Sequence, residues 1–244
     1  MNEKLADFFH SLQALCFPAY CLLCNKTLPP SAKILICPAC LPEISFTRQP
    51  LCSCCGLEFP NSAPGNHFCS KCLAHKPAFE RARAVLRYND AAARLVHTFK
   101  YAGKTYCHST FAELKNVSTT IDDLDPHDLI IPIPLHIKLS RERVFNQAVI
   151  LAQLFFPDKK DQIQAETLFR TRLTVPQTGL SGKDRRKNLK NAFDIRQPSC
   201  IKGKSVLLID DVLTTGTTIN ECAKILKKHG AKNVQALTLA RVLV

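Results

Sequence analysis

Two groups of residues carry chemistry by their types and spacing. The first is the run Asp210-Asp211-Val212-Leu213-Thr214-Thr215-Gly216-Thr217-Thr218, in which two carboxylates precede a hydroxyl-rich turn with a glycine at its centre. Backbone N–H groups, hydroxyls and a helix N-terminus in Thr214, Thr215, Gly216, Thr217 and Thr218 suit a phosphate monoester dianion, and Gly216 permits close approach. Asp210 and Asp211 can accept hydrogen bonds from two ribose hydroxyls and help place Mg²⁺ on a pyrophosphate. Helix capping alone accounts for one such residue, not the whole set.

The second group is four CxxC pairs: Cys21/Cys24, Cys37/Cys40, Cys52/Cys55 and Cys69/Cys72. Each pair lets one turn present two thiolates to one ion, and two turns close a tetrahedral, structural zinc site with no position left for catalytic water. Sequential pairing and cross-braced pairing are both open. A disulfide scaffold is disfavoured by the odd total of thirteen cysteines and by the first residues, where Glu3 and Asp7 offset Lys4 and no secretory signal is evident. His67 and His75 are alternative ligands that read better as solvated loop histidines. Cys54, Cys16, Cys107, Cys200 and Cys222 read as spectators.

The elements that must position these groups follow from texture. Ten cysteines lie between Cys16 and Cys72, among prolines and small polar residues with little hydrophobic periodicity, so metal rather than an apolar core is expected to hold this segment. Leu5, Phe8, Phe9, Leu12 and Leu15 fall on one face of a short N-terminal packing helix. From Phe79 strands and helices alternate, which predicts an α/β domain. Residues 1–77 are expected to form the N-terminal helix and zinc-binding module, and residues 78–244 the α/β domain.

Strands are predicted at Ala82–Tyr88, Asp128–Pro132, Ser205–Ile209 and Val234–Leu239, and helices at Ala91–Tyr101, Phe145–Phe155 and Thr217–His229. Gln177 to Lys190 reads as a basic, mobile loop running into a helix start. The acids Asp210 and Asp211 then stand at the C-terminal end of a buried strand, where ligands bind in open α/β sheets. No GxxxxGK[ST] occurs; Gly179-Leu-Ser-Gly182-Lys183 resembles it only superficially.

Composition narrows the partners. With 244 residues, 46% of them hydrophobic, the chain can bury one core plus a small module. Lys and Arg outnumber Asp and Glu by 33 to 20, a formal charge of +13; two four-cysteine zinc sites would lower it to about +9. A basic surface favours polyanions. No run reaches the about 18 apolar residues of a membrane helix, so no membrane span and a cytoplasmic location are expected. With no Trp and four Tyr, base stacking is poorly supplied and DNA contact should be mainly electrostatic.

The order of motifs resembles a known family. The CxxC pairs are followed by Phe99-Lys100-Tyr101-x-Gly103, by Ile133-Pro134-Leu135 with Arg141-x-Arg143-x-Phe145-Asn146-Gln147, by Gln177-Thr178-Gly179-Leu180 with Arg185-Arg186-x-Asn188, and by the Asp210–Thr218 turn. Together they resemble the ComF competence and DNA-utilisation family over nearly the whole chain. The resemblance implies a type I phosphoribosyltransferase-like parallel sheet flanked by helices, preceded by a small Cys-rich double zinc-ribbon module. It implies binding of phosphoribosyl pyrophosphate (PRPP) or a related ribose 5-phosphate ligand, and a role in natural competence, DNA uptake or use of DNA as nutrient.

Single-stranded DNA and a helicase or recombination protein are the partners so implied. A salvage phosphoribosyltransferase and a PRPP-sensing regulator are the alternatives, and the acceptor of any transfer is unspecified. Arg141 and Arg143 fall where this fold places its pyrophosphate-binding loop, and Lys100 can approach from its helix. One departure is Val144, which stands where the family usually has glycine. In this fold, Lys183, Arg185, Arg186, Lys187 and Lys190 would belong to a lid over PRPP, and the same residues suit DNA phosphates.

Overall fold

The computed structural model describes residues 18–29, 31–60, 62, 64–101, 107–135, 145–172 and 182–243. The expected N-terminal helix, Arg141, Arg143, Val144 and residues 177–181 of the expected loop lie outside the described residues.

The centre is a parallel sheet of β3 (Arg81–Arg87), β8 (Asn233–Arg241), β7 (Ser205–Leu213) and β4 (Leu129–Pro132), in that order. Continuous burial along these strands is the mark of a sheet covered on both faces, which parallel strands require. The two faces feed separate apolar clusters. Leu207, Ile209, Leu237 and Leu239 face α2 (Asp90–Tyr101), α3 (His108–Val117) and α4 (Gln147–Phe155), whereas Val206, Leu208, Val234 and Ala236 face α6 (Thr217–Lys228). The period-two alternation of the strands makes that division.

Before the sheet come the short pair β1 (Ala19–Tyr20) and β2 (Thr27–Leu28) and the single-turn α1 (Ser70–Ala74). A small antiparallel ribbon, β5 (Leu168–Arg170) with β6 (Phe193–Ile195), flanks α5 (Gly182–Leu189). No helix among the described residues is long and apolar enough to cross a membrane.

Within the described residues the predicted strands and helices are present, Gly182–Leu189 of the segment expected as a loop is helical, and one shift is consequential. The strand expected to stop at Ile209 runs to Leu213, because β8 continues beside it: Asp210 pairs in register with Thr238, Val212 with Ala240 and Leu213 with Arg241. Asp210 and Asp211 therefore lie within the strand, and the turn begins at Thr214.

The cysteine-rich segment also departs from expectation. Leu23, Leu28, Leu35, Ile36 and Ile44 are buried in one cluster with Val85, Leu86 and Leu95 of the α/β domain, so the segment is held by an apolar core as well as by any metal. The residues are too scattered to show a period, which is why their burial is not legible in the sequence. This segment also covers the outer edge of β3. Thr47 N–H donates to Val85 O (3.2 Å), Arg87 N–H to Ser45 O (2.7 Å) and Ala82 N–H to Cys54 O (2.7 Å). An edge that would otherwise be open for pairing is closed by the chain itself.

Candidate phosphate site and metal centres

The turn after β7 is built by one backbone requirement. Gly216 caps the N-terminus of α6 with φ 74°, a left-handed conformation that glycine adopts without strain. Thr217 opens the helix, Thr215 Oγ1 and Thr217 Oγ1 lie 2.8 Å apart, and Asn220 N–H donates to Gly216 O (2.9 Å). Ile219, Cys222, Ala223 and Leu226 bury the inward stripe of α6, which fixes the direction of its positive end. A small solvent-open pocket in front of the turn is lined by Asp210, Leu213, Thr214, Gly216, Thr217 and Thr218.

The acids beside it are electrostatically unequal. Asp211 forms an ion pair with Lys100 at the end of α2. Asp210 is pushed up to about 7 by burial and then by the neighbouring Asp211 charge; the Asp211 N–H (2.9 Å from Asp210 Oδ1), Lys100 and Arg170 pull in the opposite direction. Two adjacent carboxylates facing limited positive compensation are a donor set that suits Mg²⁺.

Lys100 is thus brought to the turn's acids, and the structure shows what carries it there. Gln147, 1% exposed, donates from Nε2 to Lys100 O (3.4 Å). Asn146 caps α4 by accepting from Ala148 N–H (3.0 Å) and donates from Nδ2 to Ile133 O (3.1 Å). Gln147 therefore ties the start of α4 to the end of α2, and Asn146 ties it to the residue that follows β4. Arg170 is a neighbour of the site that sequence reasoning misses. It donates from Nε to Pro134 O (3.1 Å), lies over the Phe193 ring at 4.8 Å, and its charge reaches Asp210. An arginine in a three-residue strand gives no periodic signal, and its bond to Pro134 O joins residues far apart in the chain.

The cysteines resolve into two groups with sequential pairing. Cys21, Cys24, Cys37 and Cys40 form one, and Cys52, Cys55, Cys69 and Cys72 the other, with all sulfur atoms of a group within 4.8 Å of one another. Tetrahedral zinc with Zn–S bonds of about 2.3 Å sets S···S near about 3.8 Å. Cys24–Cys37 at 3.6 Å and Cys55–Cys69 at 3.7 Å match it. Backbone N–H groups support the thiolates: Cys37 N–H donates to Cys21 Sγ (3.3 Å) and Cys69 N–H to Cys52 Sγ (3.3 Å). The Cys52 thiol is drawn down to about 4 by hydrogen bonding with Cys55 and by the N–H groups of Cys69, Cys55 and Cys54, against the effect of burial. The residues present fit two zinc ions.

The other candidates fall outside these groups. His67 stacks on Phe59 with ring centroids 3.9 Å apart. Burial, followed by the Cys52 charge, pushes the Cys54 thiol up to about 11, and it donates to Phe79 O (3.6 Å).

Both parts of the chain are similar in sequence to known proteins. Residues 151–243 match the Phosphoribosyl transferase domain family, and residues 12–73 the Double zinc ribbon domain family. DNA utilization protein YhgH of Escherichia coli O157:H7 is 33% identical over 94% of this chain and 100% of its own length. The chain belongs to the ComF competence family. Competence protein F of Haemophilus influenzae is 34% identical over 91% of this chain and 96% of its own, and Competence protein ComFC of Bacillus subtilis is 28% identical over 91% and 94%. In this ComF chain a phosphoribosyltransferase-like α/β domain follows a Cys-rich double zinc ribbon, and the two cysteine groups lie in the ribbon segment.

Proposed function

We propose that this ComF chain binds PRPP or a related ribose 5-phosphate ligand at the Asp210–Thr218 turn and works in natural competence or the use of DNA. The observation that carries the first half is the left-handed Gly216 at the head of α6, with a pocket in front of it and two carboxylates beside it. The turn's N–H groups and hydroxyls take the 5-phosphate. Asp210 and Asp211 take the ribose hydroxyls, and Lys100 and Arg170 supply positive charge against the acids and the pyrophosphate. Mg²⁺, when bound, would neutralise the pyrophosphate, and Asp210 and Asp211 are the carboxylates that would hold it. Arg141 and Arg143 belong to the same reading as pyrophosphate contacts.

Transfer of the phosphoribosyl group to an acceptor is the enzymatic form of this reading, and such chemistry runs on positioning and charge stabilisation. The test is calorimetric titration of PRPP with Mg²⁺ into the wild type and into Asp210→Asn/Asp211→Asn. The wild type should bind and the variant lose at least about tenfold in affinity; equal binding by both would remove the acids from the site.

The second half rests on the relatives' printed roles and on charge. Residues 59–78 contain no Asp or Glu but carry Lys71 and Lys76, and Phe68 (47%) and Leu73 (71%) are exposed on the same knuckle. That surface suits the phosphates and bases of single-stranded DNA, and Phe68 supplies a stacking ring that composition alone does not suggest. Gel shifts with an oligonucleotide should weaken steeply as salt rises. No shift at low salt would remove direct DNA contact and leave docking to a helicase or recombination protein as the route to DNA. Zinc in the ribbon, Mg²⁺ with the ligand and a cytoplasmic location complete the reading, with the module spanning residues 1–77 and the ligand-binding domain 78–244.

A further inference from the structure

The two cysteine groups are not equivalent. The first belongs to the apolar cluster on the α2/α3/α4 face, where Leu35 N–H donates to Thr110 Oγ1 (2.9 Å) and Arg94 Nη1 donates to Leu23 O (3.0 Å). The second belongs to the cluster on the α6 face, together with Phe79, Leu213 and Ile219, and so shares a core with the phosphate turn.

Specific bonds reach both ends of that turn. On the exit side, Cys54 Sγ donates to Phe79 O (3.6 Å), the Phe79 ring lies 3.9 Å from where a Cβ on Gly216 would stand, and Ala78 N–H donates to Asn220 Oδ1 (2.7 Å) in the first turn of α6. On the entry side, Arg241 donates from Nη2 to Cys55 Sγ (3.4 Å). Arg241 is paired in register with Leu213, and Val242 N–H donates to Leu213 O (2.9 Å). Arg241 is 7% exposed and its Nε has no hydrogen-bond partner among the described residues, so the contact with Cys55 is the one that orients its guanidinium among those described.

We infer that the Cys52/Cys55/Cys69/Cys72 site is a clamp for the phosphate turn: metal held there sets the conformation of Leu213 to Asn220, and loss of that metal loosens the turn without unfolding the sheet. Asn220 and Phe79 are the positioning residues through which it acts. Packed contacts of this kind transmit position because close-packed groups yield little to displacement. The first cysteine group instead bonds to α2 and α3, through Arg94 and Thr110. Ligand binding would thereby depend on the occupancy of one particular zinc site, which makes the protein responsive to metal supply or thiol oxidation. The ligand-binding part of the inference rests on the phosphate reading of the turn; the coupling itself does not.

Full-length protein loaded with zinc tests it, with metal counted by native mass spectrometry, amide exchange followed on peptides covering Leu213 to Ile219, and ribose 5-phosphate titrated by ³¹P NMR. Asn220→Ala and Phe79→Ala leave every cysteine in place. They should keep the wild-type zinc count, exchange the turn at least about tenfold faster and bind ribose 5-phosphate about fivefold more weakly. Cys72→Ser should lose one zinc and behave the same way, while Lys26→Gln, at an exposed position beside the first cysteine group, should match the wild type.

Unchanged exchange of the turn in Asn220→Ala and Phe79→Ala would overturn the inference, and so would a folded Cys72→Ser that has lost one zinc yet exchanges like wild type. Faster exchange in a protein whose wild type ignores ribose 5-phosphate would keep the clamp and sink the phosphate reading instead.

Discussion

Lys100, at the last turn of α2, and Asp211, in β7, form an ion pair in which both side chains are mostly withdrawn from water, 24% and 20% exposed respectively. The pair ties the helix that follows β3 to the strand that ends at the phosphate turn. It also places a positive charge beside two adjacent acids, to which Arg170 adds a second near Asp210.

Removing one partner should leave the other charge in a poorly solvated place. Lys100→Met is expected to lower unfolding stability by about 1–2 kcal/mol, less than a fully buried pair would. Asp211→Asn in the same background should recover part of the loss. Urea unfolding of the two single variants and the double variant measures the coupling.

Much of this site is legible in the sequence and part is not. Asp210, Asp211 and the threonine turn stand out because an apolar run, two acids and a hydroxyl-rich turn follow one another along the chain. The cysteine pairs stand out for the same reason: their meaning lies in local spacing. What a sequence does not display is partnership across distance. The end of β7 depends on how far β8 continues beside it. Arg170 and Gln147 matter only because β5 and α4 fold against the site. The buried leucines and isoleucines of the ribbon carry no period, so the core they share with β3 and α2 is visible only once the segment is packed.

Two glycines should separate geometry from binding. A Cβ at Gly56 would stand 2.5 Å from Ala82 O, a backbone atom, and Gly56 has φ 67°. Gly56→Ala is therefore expected to push the Cys52/Cys55 turn off β3 and to lower stability by about 2–4 kcal/mol. At Gly216 the nearest atom to an added Cβ is Leu213 Cδ1 at 3.6 Å, ordinary contact distance. Gly216→Ala should thus lose only about 1 kcal/mol to its positive φ, while ribose 5-phosphate binding falls out of proportion. Thermal unfolding and ligand titration on both variants check the contrast.

Zinc should be present at two ions per chain, one for each four-cysteine group. Cys40→Ser and Cys72→Ser should each retain one ion, and a double variant none. Because Leu23, Leu35 and Ile36 pack into the sheet's own core, single-ion forms are expected to keep the α/β circular dichroism spectrum with a lower melting temperature. Native mass spectrometry and melting curves provide the measurement; a single-ion form without a folded spectrum would show that the shared core contributes little.

Stability should fall in mild acid through two histidines. His127 is held below its ordinary value by burial and then by the Lys159 charge; its ring meets Phe156 edge-on at 5.3 Å. His108 is lowered by burial. For both, the folded state favours the neutral ring. Their contribution is complete above about pH 6.5, the unfolded value, and is lost as pH falls toward the folded values. His127→Leu should narrow the difference in urea midpoint between pH 7.5 and 5.5, and an unchanged difference would assign the acid sensitivity elsewhere.

The most direct measurement is a crystal structure of the full chain grown with saturating ribose 5-phosphate. The phosphate oxygens are expected at about 2.7–3.2 Å from N–H groups of Thr214 to Thr218, with the ring hydroxyls on Asp210 and Asp211. A ligand seated elsewhere, or an empty turn with the Lys100–Asp211 pair intact at saturation, would contradict the account.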